Sequence, residues 1–134
     1  MSLTNIKAIA IHLPQFHPIP ENDNWWGKGF TEWTNVVKAR PLFEGHYQPH
    51  IPADIGFYDL RLHESRLQQE SLAREFGIHG FCYYHYWFTG KELLEQPLHR
   101  KLDNEKEDLP FMLCWANENW TRVWNGGDKD ILLE

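Results

Sequence analysis

Three short apolar runs stand out along the chain. They cover residues 6–13, 78–88 and 111–116, and each is bounded by Pro, Gly or a polar cluster. Apolar runs of this kind, rich in Ile, Phe, Tyr and Leu, are typical of buried strands. The pattern therefore predicts three strands, separated by longer segments of different character.

Two of the intervening segments have helical spacing. Residues 59–76 place apolar and small polar side chains on one face, with Asp59 as a candidate N-cap and Gly77 as the stop. Residues 91–104 predict a second helix, in which Pro97 either interrupts the helix or opens its longer part.

The predicted order is strand, long loop, helix, strand, helix, strand. This alternation indicates crossover connections and a parallel sheet, so the fold class is α/β. Three strands and two helices leave apolar sheet edges open. We therefore expect residues 1–134 to form one partial domain of a larger barrel or sheet, or alternatively an open sandwich completed by dimerisation.

The loop at residues 14–58 is unusually long for a compact domain. It holds six of the eight prolines and the aromatic-rich stretch NDNWWGKGFTEW, which makes disorder improbable. We interpret it as a folded lid over the carboxyl edge of the sheet. The alternative is an aromatic mini-core that only caps that edge.

Composition narrows the classes of partner. The net charge is −6 and no basic stripe is present, which argues against nucleic acid. No apolar run is long enough for a membrane span, and the start does not look like a signal peptide, so we expect a cytoplasmic protein. The His46 and His50 pair is not on a predicted helix, and we predict neither a metal nor a cofactor.

Polar and aromatic side chains gather at the carboxyl ends of all three predicted strands. Parallel α/β folds place their ligands at this edge. Indole and phenol rings stack on the C–H face of a sugar, while amides, carboxylates and imidazoles pair with its hydroxyls. We therefore expect His12, His85 and Glu118 to surround one sugar-binding cavity.

Four blocks of the sequence also resemble a known family. The blocks are HLPQFHPIPENDNWWGKGFTEWTNV, GHYQPHIPADIGFYDL, GFCYYHYWF and CWANENWTRVW, and the likeness runs from about residue 9 to residue 134. They resemble the WbsX-type family, which is glycosyltransferase-like and has a domain similar to glycoside hydrolase family 99. The resemblance implies the amino-terminal part of a (β/α)8 TIM-type barrel and a role in bacterial surface polysaccharide or lipopolysaccharide O-antigen metabolism.

The resemblance also implies a set of site residues. In the related hydrolases two Glu residues on a late strand are the acid and base, and that strand has no counterpart among these residues. Glu118 remains a candidate acid or base, with Glu32 as its candidate partner. The substrate-binding candidates are His12, Gln15, His17, Trp25, Trp26, Glu32, Trp33, Tyr84, His85, Tyr86, Trp87, Asn117, Asn119 and Trp120.

These observations leave three functions open. The first is hydrolysis or transfer of glycosidic bonds by the full-length parent, acting on an oligosaccharide or polysaccharide. The second is carbohydrate binding without chemistry, and the third is a structural piece that self-associates through its sheet edges.

Overall fold

The computed structural model describes residues 6–122 and 131–133. Its elements, in chain order, are β1 (Ala8–His12), α1 (Pro20–Trp26), α2 (Glu32–Lys38), α3 (His63–Glu75), β2 (Ile78–Phe88), β3 (Lys91–Leu93), α4 (Gln96–Leu102), β4 (Phe111–Trp115), β5 (Trp120–Thr121) and β6 (Ile131–Leu133). Three of these strands lie within the predicted apolar runs. The chain is a mixed α/β protein.

The central sheet is built around β2. Strands β1 and β4 pair with β2 in parallel, and α3 and α4 lie on the two connections between them. Strand β3 pairs antiparallel with the last three residues of β2. The parallel arrangement brings the carboxyl ends of β1, β2 and β4 to one edge of the sheet.

The two faces of β2 have different surroundings. Phe81 and Tyr83 are buried and pack with Ala73 of α3, so odd-numbered residues here face the helices. Tyr84 and Tyr86 point to the opposite face, because successive side chains of a strand alternate. On that second face Ile11 of β1 is 72% exposed.

Buried charges join α3, α4 and the loop before β4. The guanidinium of Arg66 donates to both carboxylate oxygens of Glu107, at 2.7 and 2.6 Å, and to the Leu60 carbonyl at 2.9 Å. Lys101 pairs with Glu70, whose second oxygen accepts the Leu109 backbone N–H at 3.0 Å. Every one of these charged groups therefore has a partner, as burial requires.

The prediction of a helix over residues 91–95 was wrong. Thr89 and Gly90 both have positive φ, 44° and 84°, which is the geometry of a two-residue hairpin turn. The turn sends Lys91–Leu93 back along β2 as β3. Helix α4 begins only at Gln96, and Pro97 stands in its first turn, as one of our two readings of that residue expected.

The loop of residues 14–58 contains two short helices that we did not predict. Pro20 opens α1, where its missing N–H costs nothing. Thr31 caps α2: its hydroxyl accepts the Trp33 N–H, and its own N–H donates to the Thr34 hydroxyl. Local capping thus produces regular structure inside a proline-rich segment.

Two further details concern α3 and β2. Asp59 does not cap α3, because its carboxylate accepts the N–H and guanidinium of Arg61 one turn earlier. A Cβ at position 80 would overlap the Pro110 carbonyl oxygen, so Gly80 permits the close approach expected of a strand glycine.

No helix in the described part of the chain has the length and apolar character needed to cross a bilayer.

Candidate functional site

A cleft of about 990 Å³ lies at the carboxyl edge of the sheet. It is bounded by β2, by the segment after β4, and by α1 and α2 from the long loop. The lining residues are Leu13, Gln15, Asn22, Trp26, Phe30, Glu32, Asn35, Lys38, Tyr84, Tyr86, Ala116, Glu118, Trp120, Thr121 and Leu132. Both the sheet and the long loop therefore contribute side chains to the cleft.

Gln15 joins the two sides of this cleft. Its Nε2 donates a hydrogen bond to the Tyr86 hydroxyl at 2.8 Å, and its backbone carbonyl accepts the Glu32 N–H at 3.3 Å. Tyr86 belongs to β2 and Glu32 begins α2. A single residue thus fixes the first turn of α2 relative to the strand.

The pKa values of two groups in the cleft, Tyr86 and Glu32, are raised. Burial raises the pKa of Tyr86 to about 12, opposed by the Gln15 hydrogen bond and supported by Tyr84 and the negative charges of Glu32 and Glu118. Burial also raises the pKa of Glu32, although a 3.5 Å hydrogen bond from Asn35 opposes the shift. The Tyr86 phenol therefore remains a neutral O–H donor.

Aromatic rings form one wall of the cleft. The indole of Trp120 lies 5.1 Å from the Tyr86 ring and 5.5 Å from the Phe88 ring, and meets Trp25 edge-on at 5.8 Å. The guanidinium of Arg122 lies 5.4 Å from the ring centre of Trp26. Such contacts hold the indoles in place without a bound ligand.

The structure brings together seven of the site residues expected from the sequence. They are Gln15, Trp26, Glu32, Tyr84, Tyr86, Glu118 and Trp120. Trp25 does not line the cleft but supports Trp120. Glu118 is exposed, whereas Glu32 is only partly so.

The cavity expected to join His12, His85 and Glu118 is not formed. His12 lies on the helix side of the sheet, 3.0 Å from Gln69 of α3, where burial lowers its pKa. The Nδ1 atom of His85 lies 3.6 Å from the Oε1 atom of Glu92 in β3. The reason is strand alternation: residues 12, 83 and 85 share one face, and the cleft opens on the other.

Five other expected residues also lie away from the cleft lining. The ring of His17 is fully buried, and burial lowers its pKa to about 4. Trp33 donates its indole N–H to the Tyr58 carbonyl at 2.8 Å and packs on Phe16. Trp87, Asn117 and Asn119 are exposed.

The cleft also contains polar residues that we did not expect. Asn35 and Lys38 recur at three-residue spacing after Glu32 on α2. This periodicity was available in the sequence, but only once the Thr31 cap had been recognised. Asn22 is buried on α1 beneath the same cleft. Among the described residues, no three His, Cys, Asp or Glu side chains are arranged to hold a metal ion.

Comparison with known proteins yields one family model and two similar curated proteins. A family model described as "Glycosyltransferase WbsX" matches residues 8–134. Two curated proteins, each called "Uncharacterized protein WxcX", are 56% identical over 126 residues. They come from strains B100 and ATCC 33913 of Xanthomonas campestris pv. campestris.

The aligned region is a much larger share of this chain than of the WxcX proteins. It spans 94% of this chain but 18% of the length of the WxcX proteins. No solved structure matches the chain.

Proposed function

Since this chain belongs to the glycosyltransferase WbsX family, we propose that its cleft binds a sugar unit of a bacterial surface polysaccharide. The match covers nearly all of the described residues. A role in lipopolysaccharide O-antigen metabolism and a cytoplasmic location are part of the same proposal.

The observation that carries the proposal is the chemistry of the cleft lining. Trp26 and Trp120 offer indole surface, and the rim offers the carboxylates of Glu32 and Glu118 beside the Tyr86 hydroxyl. A sugar presents an apolar C–H face and a ring of hydroxyls, so it needs both kinds of group at once. A purely apolar ligand would exclude water from the carboxylates and offer them no hydrogen-bond donor in exchange.

The reaction we propose for the full-length protein is hydrolysis or transfer at a glycosidic bond. Either reaction passes through an oxocarbenium-like centre and uses carboxylates close to it. Glu118 is a candidate acid or base, because its carboxylate lines the cleft together with that of Glu32. The resemblance to related hydrolases points instead to a carboxylate pair on a later strand, in which case Glu118 binds substrate.

The same proposal extends to the architecture. We infer that β1, β2 and β4 are the first three parallel strands of a (β/α)8 barrel, with residues 14–58 as a lid over its carboxyl end. Two observations support it. The three parallel strands lie in the sheet in their order along the chain, and apolar side chains such as Ile11 and Met112 are exposed on the cleft face of the sheet. Self-association of the chain through its sheet edges is the competing explanation. Light scattering tests it, because a monomer in solution contradicts self-association.

The proposal is tested by glycan binding to the full-length protein. A panel of bacterial polysaccharide fragments is screened on an array, and positive fragments are titrated by tryptophan fluorescence. We expect at least one fragment to bind, and Glu118→Gln to weaken its binding at least tenfold, as loss of a hydrogen bond to a charged group predicts.

A matched control separates site effects from charge effects. Glu105→Gln removes the same charge from an exposed residue before β4 and is expected to change nothing. Failure of every fragment to bind would end the carbohydrate proposal. Binding without any bond cleavage or transfer would favour a non-catalytic binding module.

A further inference from the structure

We propose that the Tyr86 end of the cleft accepts an uncharged sugar and rejects a uronic acid, with Glu32 and Glu118 as the specificity-determining residues. This inference rests on the proposed carbohydrate function and names the class of sugar for the same site.

The two carboxylates line the same cleft. Glu32 comes from the first turn of α2 and Glu118 from the segment after β4, yet both line the cleft beside Tyr86. Burial is the main cause of the raised pKa of the Tyr86 phenol, and the negative charges of Glu32 and Glu118 add to it. The two carboxylates therefore contribute a negative potential at the cleft rim.

Fewer cations than carboxylates line the described part of the cleft. Among the described lining residues the one cation is Lys38, which is exposed at the last turn of α2. Lys38 lies six positions after Glu32, roughly 9 Å along the helix axis. At low salt this distance is within the screening length, so Lys38 offsets part of the negative potential. The Arg122 guanidinium lies over the Trp26 ring and is not part of the lining.

A neutral sugar and a uronic acid meet this potential differently. The hydroxyls of a neutral sugar can donate charge-assisted hydrogen bonds to Glu32 and Glu118. The carboxylate of a uronic acid is ionised at neutral pH, has no hydrogen to donate, and is repelled by like charges. At a partly solvated site the repulsion corresponds to roughly tenfold weaker binding.

The test compares matched pairs of ligands on the full-length protein. The probes are the methyl glycosides of glucose, galactose and mannose, each beside the methyl glycoside of its uronic acid. Dissociation constants are measured by saturation-transfer NMR titration at pH 7 and low salt. We expect at least one neutral glycoside to bind, and its uronic acid partner to bind roughly tenfold more weakly.

Four variants show where the discrimination originates. Glu118→Gln and Glu32→Gln should each bring the two members of the binding pair closer in affinity. Lys38→Gln should widen the difference, because it removes the opposing charge. Glu44→Gln, an exposed acid outside the cleft, should leave the ratio unchanged.

The outcomes separate this inference from the function on which it rests. Equal or tighter binding of the uronic acid overturns the inference while the carbohydrate proposal stands. The inference is also overturned if neither Glu32→Gln nor Glu118→Gln changes the ratio of the two dissociation constants. Failure of all six glycosides to bind a protein that does bind the polysaccharide panel overturns it as well. Failure of the glycosides and the panel together overturns the proposed function.

Discussion

The side-chain amide of Gln15 lies 2.8 Å from the hydroxyl of Tyr86, a residue 71 positions later in the chain. Gln15 follows β1 and Tyr86 is near the end of β2, so the contact spans the carboxyl edge of the sheet. The Gln15 carbonyl also accepts the Glu32 N–H. The wall supplied by α2 is thereby tied to the strand that forms the floor.

This contact predicts a measurable coupling between the two side chains. Gln15→Leu and Tyr86→Phe should each lower the free energy of unfolding, and the double variant should lose less than their sum. The expected coupling is about 1 kcal/mol, typical of one partly buried hydrogen bond. Urea unfolding of the four proteins measures it. Gln68→Leu, at an exposed glutamine of α3, should show no coupling to Tyr86→Phe.

Trp120 is predicted to contribute to sugar binding through its indole face. Trp120→Ala should weaken binding of a positive polysaccharide fragment by about tenfold, roughly 1–2 kcal/mol of stacking. Trp120→Phe should retain part of the affinity. This variant keeps an aromatic ring, whereas the alanine variant also removes the packing on Phe88.

The control for Trp120 is a second indole outside the cleft. Trp115 is 59% exposed and, paired with His85, lies on the helix side of the sheet. Trp115→Ala should leave the fluorescence-measured affinity unchanged. Equal losses in the Trp115 and Trp120 variants would contradict a stacking role for Trp120.

The buried pair of Arg66 and Glu107 should matter greatly for stability. Arg66→Met leaves the Glu107 carboxylate buried and without its bidentate partner, and should cost about 3–5 kcal/mol of unfolding free energy. Arg61→Met breaks a partly exposed pair with Asp59 and should cost less than about 1 kcal/mol. Denaturant titration measures the unfolding free energy of both variants. Similar losses would show that burial does not determine how much an ion pair contributes to stability. Adding Glu107→Leu to Arg66→Met should recover part of the stability.

His17 predicts a loss of stability in mild acid. Its pKa is about 4 in the folded chain, below the value near 6.5 of an unfolded histidine. Because the unfolded chain takes up the proton first, this contribution is complete above pH 6.5 and is lost as the pH falls towards 4. Between pH 7 and pH 5 the unfolding free energy should fall by about 2 kcal/mol from this group.

The variant His17→Gln isolates that contribution. It should show a smaller decrease between pH 7 and pH 5 than the unaltered protein, measured by urea unfolding at both pH values. His50→Gln, at an exposed histidine, should keep the full decrease. An unchanged decrease in His17→Gln would mean that His17 is not the group that titrates. Burial also lowers the pKa of His12, so some decrease should remain.

The strands could be predicted from their apolar runs, and their parallel order from the helical segments between them. The hairpin at Thr89 and Gly90 was missed, since Lys91–Leu93 is short and mostly polar and acquires strand geometry only by pairing with β2. Helices α1 and α2 were missed for a related reason: each has seven residues, too few for an apolar period to be visible.

The site was predictable in its residue types but not in its geometry. Strand-end position indicates the edge at which the cleft lies, yet position alone does not say which face a side chain takes. Applying alternation from Tyr84 would have assigned His85 to the helix side. The role of Gln15 depends on a contact 71 residues away, which no local pattern contains.

The division of β2 into two faces limits how its length can vary. One residue inserted between Cys82 and Tyr84 would turn the tyrosines of the cleft under α3 and bring a histidine out in their place. Insertions at the Thr89 and Gly90 turn would lengthen only the rim. Diversification of ligand choice in relatives should therefore occur by substitution within the strand and by changes of length at its tip.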